Sequence, residues 1–326
     1  MSDNTAPDRR YVIISPCRDE AEFMRSTLDT IVAQTIQPAL WLIVDDGSTD
    51  ESPEILAEYA AKHDFIKIFR RKDRGYRKVG AGVVDAFYSG FNEINSNDYN
   101  YVCKLDLDLE LPPQYFEILM KKMEADPRIG NCSGKPYNRI NGNMISERRG
   151  DEMSVGMTKF IKMECFKQTG GFVRQVMWDA IDCHKARQIG WKARSWDEPE
   201  LRFVHLRLMG SSQHSIYVGR MRHGFGQFFM GTGPIYMLAS SVFRMLERPF
   251  VLGGIYMYIG YLKCFFKDTP RLDDKALVKF IRRFQWQSLF KGKTAAMDAL
   301  EAELESTWDI NRPHPPMPVV VSESDS

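Results

Sequence analysis

The apolar residues of the first third of the chain follow two alternating patterns. Short continuous apolar runs predict buried strands, and stretches with an apolar residue every three or four positions predict amphipathic helices. The predicted strands are residues 11–15, 40–44, 66–69 and 101–105. Strands that are apolar on both faces and alternate with helices are typical of a parallel sheet covered on both sides. The sequence therefore predicts an α/β fold with a mostly parallel sheet flanked by helices.

The pattern becomes irregular after a helix predicted at residues 114–124. Residues 135–153 are rich in Gly, Asn and Arg, which favours a mobile loop. Further elements are predicted as a short helix at 163–168, a turn at 170–172, a helix at 179–189 and strands at 193–196 and 201–206.

The last third contains two stretches without any charged residue, 224–243 and 249–262. The first has the length of a membrane span but is interrupted by Gly, Pro and polar residues, and the second is too short for a span. Both are rich in Tyr, Phe and Met and are flanked by Arg and Lys. Two interpretations stay open, namely helices that lie in a membrane interface and a packed helical subdomain. A basic amphipathic helix follows at residues 275–290.

Charge and composition divide the chain further. Residues 220–293 carry 13 Lys and Arg against four acidic residues, although the whole chain has a net charge of only +1. The six cysteines form no C-x-x-C pair, which favours buried reduced thiols in a cytosolic protein, and no signal peptide is recognisable. The predicted segments are a disordered N-terminus at 1–9, an α/β domain at 10–215, a helical region at 216–308 and a disordered tail at 309–326.

Acidic and polar residues follow three of the predicted strands, at 16–20, 45–50 and 106–110. Ligands of parallel sheets bind beyond the carboxyl ends of the strands, so these clusters should converge. Asp106 and Asp108 are two residues apart on an extended segment, and their side chains therefore point to the same side. Paired carboxylates suit a hard divalent cation, although such a triplet alone is common.

An ordered set of short motifs covers residues 10–205. They are Val12-Ile13-Ile14-Ser15-Pro16-Cys17-Arg18-Asp19-Glu20, Gln34-Thr35, Val44-Asp45-Asp46-Gly47-Ser48-Thr49-Asp50, Asp106-Leu107-Asp108, Gly170-Gly171-Phe172, and Trp178-Asp179 followed by Ala186-Arg187 and Gly190-Trp191. In this order, the set resembles a family-2 glycosyltransferase with the GT-A fold. The resemblance implies a nucleotide-binding sheet and transfer of a sugar from a nucleotide diphosphate sugar.

The resemblance implies a role for each residue of the donor site. Asp46 matches the acid that pairs with an N–H of the base, which suits a uracil-like edge and hence a UDP-linked donor. Pro16 and Arg18 match positions that line the base, although the second is often aromatic in the family. Glu20 matches a frequent acid without a settled role. Lys78 matches a lysine that approaches the diphosphate, and a solvated loop is the alternative for it.

The same resemblance implies a metal site and a catalytic base. Asp108 matches a ligand of Mn²⁺ or Mg²⁺, Asp106 matches its partner near the ribose and the metal's waters, and His205 lies where some relatives supply a third ligand. A structural role is the alternative for His205. Asp179 matches the catalytic base of inverting transfer, although Trp178 replaces the usual Glu before it. Asp182, three residues further along the helix, is the alternative base.

The C-terminal third departs from the processive members of the family. Residues 283–286 read Arg-Phe-Gln-Trp and do not match the Gln-x-x-Arg-Trp motif of those members, so transfer of a single sugar is expected. The aromatic, basic region resembles membrane-associated segments of bacterial enzymes that build lipid-linked polysaccharide units. The expected acceptor is a hydroxyl of a saccharide or lipid-linked saccharide. The expected location is the cytoplasmic face of an anionic membrane.

Three other functions are compatible with parts of the sequence. A sugar-nucleotide pyrophosphorylase also uses a nucleotide-binding α/β sheet, but a Gly-rich basic loop after the first strand is missing here. A non-catalytic membrane-associated scaffold would not need Asp46, Asp108 and Asp179. Nucleic-acid binding would explain the basic region, but the adjoining apolar stretches fit lipid better.

Overall fold

The computed structural model describes residues 8–73, 75, 80–207, 215–246 and 249–318. The strands β1 to β11 are Tyr11–Cys17, Leu40–Asp45, Ile66–Arg70, Tyr101–Leu105, Leu109–Glu110, Ile129–Ser133, Lys135–Ile140, Asn143–Ser146, Thr158–Lys162, Lys192–Ser195 and Arg202–His205. The helices α1 to α11 are Ala21–Val32, Ser52–Lys62, Ala81–Phe91, Tyr115–Ala125, Met163–Gln168, Trp178–Gln188, Ile216–Phe229, Pro234–Arg244, Leu252–Phe266, Lys275–Lys291 and Lys293–Glu303.

The main sheet has seven strands in the order β10-β6-β9-β4-β1-β2-β3. The strands β1 to β4 pair in parallel, β6 and β10 pair in parallel, and β9 runs antiparallel to both β4 and β6. Apolar residues of α1, α2 and α4 cover one face, and those of α3, α5 and α6 cover the other. The predicted α/β fold with a mostly parallel, helix-flanked sheet is confirmed.

A second sheet has four strands in the order β5-β11-β7-β8. Its strand β11 agrees with the strand predicted at 201–206, whereas β7 and β8 lie where the sequence predicts a mobile loop. The loop prediction is wrong for residues 135–146, which form the hairpin of β7 and β8. Asn141 and Gly142 make its turn with φ of 51° and 79°. Both angles are positive, as a two-residue hairpin turn requires, and Asn-Gly is a preferred pair for it. The exposed Met144 and Ile145 of β8 mask the alternation by which a half-buried strand is recognised.

The C-terminal helices pack on the α/β domain and on one another. The predicted amphipathic helix forms as α10, and its apolar residues Leu277, Ile281 and Phe284 are buried in a cluster with Ile181 of α6. The helices α7 and α9 lie side by side, and a Cβ at Gly224 would be only 1.9 Å from the backbone oxygen of Met257. Within the described ranges, no helix has the length and hydropathy that crossing a bilayer needs.

Both predicted disordered ends are partly ordered. Arg9 forms two hydrogen bonds of 2.7 Å with Glu124. Residues 309–318 were predicted to belong to a disordered tail, but the backbone oxygens of residues 309 and 310 accept hydrogen bonds from Gln168, and Met317 packs against the core. Apolar contacts and main-chain acceptors thus hold this Pro-rich segment on the domain. The six cysteines are buried and free, as predicted.

A buried ion pair joins α11 to the α/β domain. Glu301 is 4% exposed, and its carboxylate accepts a hydrogen bond of 3.2 Å from Nε of the fully buried Arg187. Arg194 donates to both oxygens of the same carboxylate. Removing one partner of such a pair leaves a buried charge without compensation.

We expect Glu301→Ala to lower the free energy of unfolding by about 3–5 kcal/mol, because the buried charge of Arg187 would lose its counter-ion. The matched control is Glu303→Ala on the same helix, whose pair with Arg283 is about half exposed and contributes at most about 1 kcal/mol. Urea denaturation measures both. Equal losses in the two variants would contradict this role of Glu301.

Candidate active site

A cavity of about 380 Å³, the first cavity, lies at the carboxyl ends of β1, β2 and β4. Eight of the predicted site residues line it, namely Pro16, Arg18, Glu20, Asp46, Asp106, Asp108, Asp179 and His205. Asp182 does not line it, and Lys78 lies outside the described residues. The convergence of the strand-end clusters that the parallel sheet predicts is therefore found.

The side chains after β1 and β2 hold one another in place. The guanidinium of Arg18 donates to the backbone oxygen of Asp46 and lies 2.9 Å from Asp73. Arg71 donates a hydrogen bond of 2.7 Å to Oδ1 of Asp46. A carboxylate offers about four acceptor positions, so Asp46 can also receive an N–H from a ligand. This end of the first cavity is a polar surface with hydrogen-bond acceptors and donors.

The two aspartates after β4 lie in different charge environments. Lys104 donates to Oδ1 of Asp106, while Asp108 lies 3.6 Å from Nε2 of His205 and 3.5 Å from Nε of Arg207. Burial raises the pKa of Asp106; Lys104 opposes the increase and the charge of Asp108 adds to it. Burial also acts to raise the pKa of Asp108, but His205 and Arg207 outweigh it and the pKa is lowered. Asp108 is therefore the more firmly ionised of the two carboxylates.

Glu147, which the sequence analysis does not identify, holds the imidazole of His205. Its Oε1 lies 2.7 Å from Nδ1 of His205, and Asn138 donates to the same oxygen at 3.2 Å. Burial acts to lower the pKa of His205, but the neighbouring carboxylates of Asp108 and Glu147 raise it to about 9. The imidazole is consequently protonated at neutral pH, and it bridges two carboxylates.

Some of these residues fit a divalent cation. Oδ1 of Asp108 is buried and lacks a hydrogen-bond partner among the described residues. An unpaired carboxylate oxygen is a suitable ligand for a hard cation, and Asp106 lies beside it on the same cavity wall. Among the same residues, no group of three or more His, Cys, Asp and Glu side chains is arranged to hold a metal ion. A divalent cation bound here would therefore have two carboxylates as its candidate protein ligands.

Asp179 lies in the first turn of α6 and also lines the first cavity. The preceding Met177 has a left-handed φ of 69°, which turns the chain sharply into the helix. A Cβ at Gly156 would lie 3.1 Å from Oδ2 of Asp179, so the absence of a side chain there leaves room around the carboxylate. Strained backbone of this kind clusters at functional sites. Asp179 is thus presented at the cavity surface.

Asp182 is placed differently, one turn further along α6. It is 2% exposed, and its carboxylate lies 3.1 Å from Nζ of Lys159 and accepts a hydrogen bond from Asn131. Lys159 also donates to the backbone oxygen of Asp179 at 2.7 Å. Asp182 therefore belongs to a buried network beneath the first turn of the helix.

The C-terminal region also contributes to the site. Arg222 of α7 lines the first cavity together with Arg207, and neither residue was predicted from the sequence. A second cavity of about 370 Å³ adjoins the first and shares Gly156, Met157, Met177 and Asp179 with it. Helices α7, α8 and α10 supply much of its wall. The carboxylate of Asp179 thus lies where two cavities meet.

Relatives of known identity match a part of the chain. Glycosyltransferase GlyA of Streptococcus pneumoniae is 29% identical over 157 residues, which are 45% of this chain and 21% of that protein. Poly-beta-1,6-N-acetyl-D-glucosamine synthase of Staphylococcus aureus is 24% identical over 131 residues, which are 40% of this chain and 29% of the synthase. The chain thus spans less than a third of the length of either relative.

A solved structure and a family model extend the comparison. The structure of GalNAc-T7 with UDP, GalNAc and Mn²⁺ superposes with a TM-score of 0.57 at 16% identity, over 86% of this chain and 57% of that one. This likeness confirms the GT-A fold. The family model "Glycosyl transferase family 2" matches residues 12–178, slightly more than half of the chain. The chain therefore belongs to glycosyl transferase family 2.

Proposed function

We propose that the chain is an inverting, metal-dependent glycosyltransferase that moves one sugar from a UDP-linked donor to a hydroxyl of a saccharide or lipid-linked saccharide acceptor in polysaccharide biosynthesis. The observation that carries the proposal is that Asp46, Asp106, Asp108 and Asp179 line one cavity at the carboxyl ends of the parallel strands. The first cavity thereby offers a candidate base-binding end at Asp46, the paired carboxylates of Asp106 and Asp108, and a separate carboxylate on α6.

The nucleotide binds at the ends of β1 and β2. Asp46 accepts the N–H of a uracil ring, and Arg71 fixes the orientation of its carboxylate. Pro16 and Arg18 line the same end of the cavity. Arg18 donates a hydrogen bond to the backbone oxygen of Asp46 and forms an ion pair with Asp73. These contacts orient its guanidinium, which can stack on the base or donate a hydrogen bond to it. Glu20 acts indirectly by holding Arg207.

The diphosphate binds beside Asp106 and Asp108. Asp108 would hold a Mn²⁺ or Mg²⁺ ion through its unpaired oxygen, with Asp106 beside it, and the bound ion would neutralise the leaving diphosphate. His205 would join as a third ligand only as a neutral imidazole, so loss of its proton accompanies that role. Lys104, Arg207 and Arg222 line the same cavity and add positive charge near the phosphates, and Lys78 is proposed to approach them too.

Asp179 serves as the general base. The acceptor oxygen attacks C1 of the donor sugar and forms the new C1–O bond, while its proton passes to the carboxylate of Asp179. The bond between C1 and the diphosphate oxygen breaks, and its electron pair leaves with UDP. One displacement from the far face inverts the configuration at C1. The position of Asp179 at the junction of the two cavities supports this role over Asp182.

The C-terminal helices bind the surface of an anionic membrane at its cytoplasmic face. Exposed apolar side chains are concentrated on α8 and between α8 and the start of α9; they are called the apolar face and are Ile235, Leu238, Val242, Phe243, Leu246, Phe250, Val251 and Leu252. Arg244 lies on the same helix, and Arg220 lies 3.5 Å from the position of a Cβ at Gly253, next to this face. Apolar side chains with basic neighbours suit an interface of anionic lipid.

We expect Asp108→Asn to abolish Mn²⁺-dependent binding of UDP, because the substitution replaces a charged oxygen ligand with an amide. Calorimetric titration of UDP with and without Mn²⁺ measures the effect. Glu110→Gln is the matched control, since Glu110 lies two residues further on and pairs with Arg139. An unchanged affinity in Asp108→Asn would remove Asp108 from the metal site.

We expect Asp179→Asn to keep its affinity for UDP and to lose about 10²–10⁴ in turnover, the range for a general base. Asp182→Asn should instead lower thermal stability, because Lys159 would lose its buried counter-ion. Turnover per folded molecule and melting temperature separate the two effects. If Asp179→Asn were fully active and Asp182→Asn were stable but inactive, Asp182 would be the general base instead.

We expect the full chain to float with vesicles that contain anionic lipid and to float less with neutral ones, since each nearby basic residue contributes about 1 kcal/mol. Leu246→Ser with Phe250→Ser should reduce flotation, because these side chains are 74% and 60% exposed. Met144→Ser with Ile145→Ser, which changes exposed residues of β8, is the control. If the full chain did not float with anionic vesicles, the membrane proposal would be wrong and a soluble acceptor would be indicated.

A further inference from the structure

The second cavity has the position of an acceptor site. It adjoins the first cavity at Gly156, Met157, Met177 and Asp179. A molecule bound in it can therefore place a hydroxyl at Asp179 while a donor occupies the first cavity. The inference that follows rests on the proposed function, because it gives the chemical class of the acceptor.

The wall of the second cavity carries an excess of positive charge. Its charged residues are Arg148, Arg149, Arg244 and Lys293 against Glu152 and Asp179. Lys293 lies 2.9 Å from Glu152. Burial and the surrounding cations lower the pKa of His223 to about 3, so this imidazole on the same wall is neutral. An anion in the cavity would meet a net positive wall from three segments of the chain.

Two buried polar atoms on the same wall are also unpaired. Nδ1 of His184 and Oε1 of Gln285 lack a hydrogen-bond partner among the residues that the structure describes. The two side chains are only 2% and 3% exposed. A buried polar atom without a partner is costly, and a hydroxylated ligand would satisfy both atoms. The cavity thus offers hydrogen bonds to a sugar as well as charge to an anion.

The second cavity adjoins the apolar face along α8. Tyr236, Ser240, Phe243 and Arg244 of α8 line the cavity, and Phe243 is itself 64% exposed. Other residues of α8, including Leu238 and Val242, carry the apolar face on the outer side of the helix. One short helix therefore borders the cationic wall on one side and the proposed lipid surface on the other.

We propose that the second cavity binds an acceptor saccharide that carries a phosphate or diphosphate group. Arg148, Arg149, Arg244 and Lys293 hold the anion, and the sugar lies between it and Asp179. Guanidinium groups bind phosphate oxygens in pairs, which gives orientation as well as affinity. The anion comes either from a lipid-linked diphosphate at the apolar face or from a soluble phosphorylated saccharide, and the phosphate chemistry is common to both.

The test measures binding of two anionic probes to the full chain by calorimetry in the presence of EDTA, which withholds metal from the first cavity. The probes are inorganic diphosphate and farnesyl diphosphate. We expect Arg244→Gln and Lys293→Gln each to lower the affinity for both probes by about tenfold or more, because each substitution removes one charge-assisted contact. Lys291→Gln is the matched control, because Lys291 is exposed at the end of α10 and does not line the cavity.

Comparing the two probes distinguishes a lipid-linked acceptor from a soluble one. Tighter binding of farnesyl diphosphate than of diphosphate supports a lipid-linked acceptor, and equal binding supports a soluble one. Asp108→Asn should bind both probes normally, so a failure of the metal site leaves this result intact. The proposal is overturned if neither probe binds, if Asp108→Asn rather than Arg244→Gln weakens binding, or if glucuronate binds as tightly as diphosphate.

Discussion

Two carboxylates of like charge, Asp106 and Asp108, lie two residues apart at the end of β4, and their repulsion must be offset for the site to keep its shape. Lys104 from the strand itself neutralises the first. His205 and Arg207, from the end of β11, neutralise the second. The small second sheet therefore has a role in the site. Its strand β11 and the β7–β8 hairpin bring the compensating charges and Glu147 to the edge of the main sheet.

The C-terminal helices complete the site from the other side. Arg222 of α7 reaches the first cavity, and α8 and α10 wall the second. The buried pair of Arg187 and Glu301 fixes α11 to the helix that carries Asp179. A buried ion pair is not a large source of stability by itself, but it penalises any arrangement that separates its partners. The C-terminal helices thus form part of the walls of both cavities and also carry the exposed apolar face.

The parallel sheet and the cavity at its edge could be predicted from the sequence, because continuous apolar runs identify buried strands and ligands of such sheets bind beyond their carboxyl ends. The strand β6 could not, since its Gly-Asn-Cys-Ser segment is polar although it is buried. Glu147 and Arg222 were missed for another reason. They reach the site from elements distant in sequence, and nothing in their local sequence distinguishes them from surface charges.

The choice between Asp179 and Asp182 shows the limit of periodicity arguments. Residues three apart share a helix face, so the sequence leaves both acids open as the base. The face of α6 is not uniform, however, because its first turn borders the cavity and its second turn lies over β6 and β9, where Asn131 and Lys159 take up the carboxylate of Asp182.

The helix α8 links the two halves of the proposed function. Its outer side chains are exposed and apolar, while Tyr236, Ser240 and Arg244 border the second cavity. If the outer side rests on lipid, the mouth of the cavity lies at the depth of the headgroups, where the phosphates of a lipid-linked acceptor are found. The acceptor then reaches Asp179 without its lipid leaving the membrane. In that arrangement, α8 both binds the membrane surface and borders the cavity that selects the acceptor.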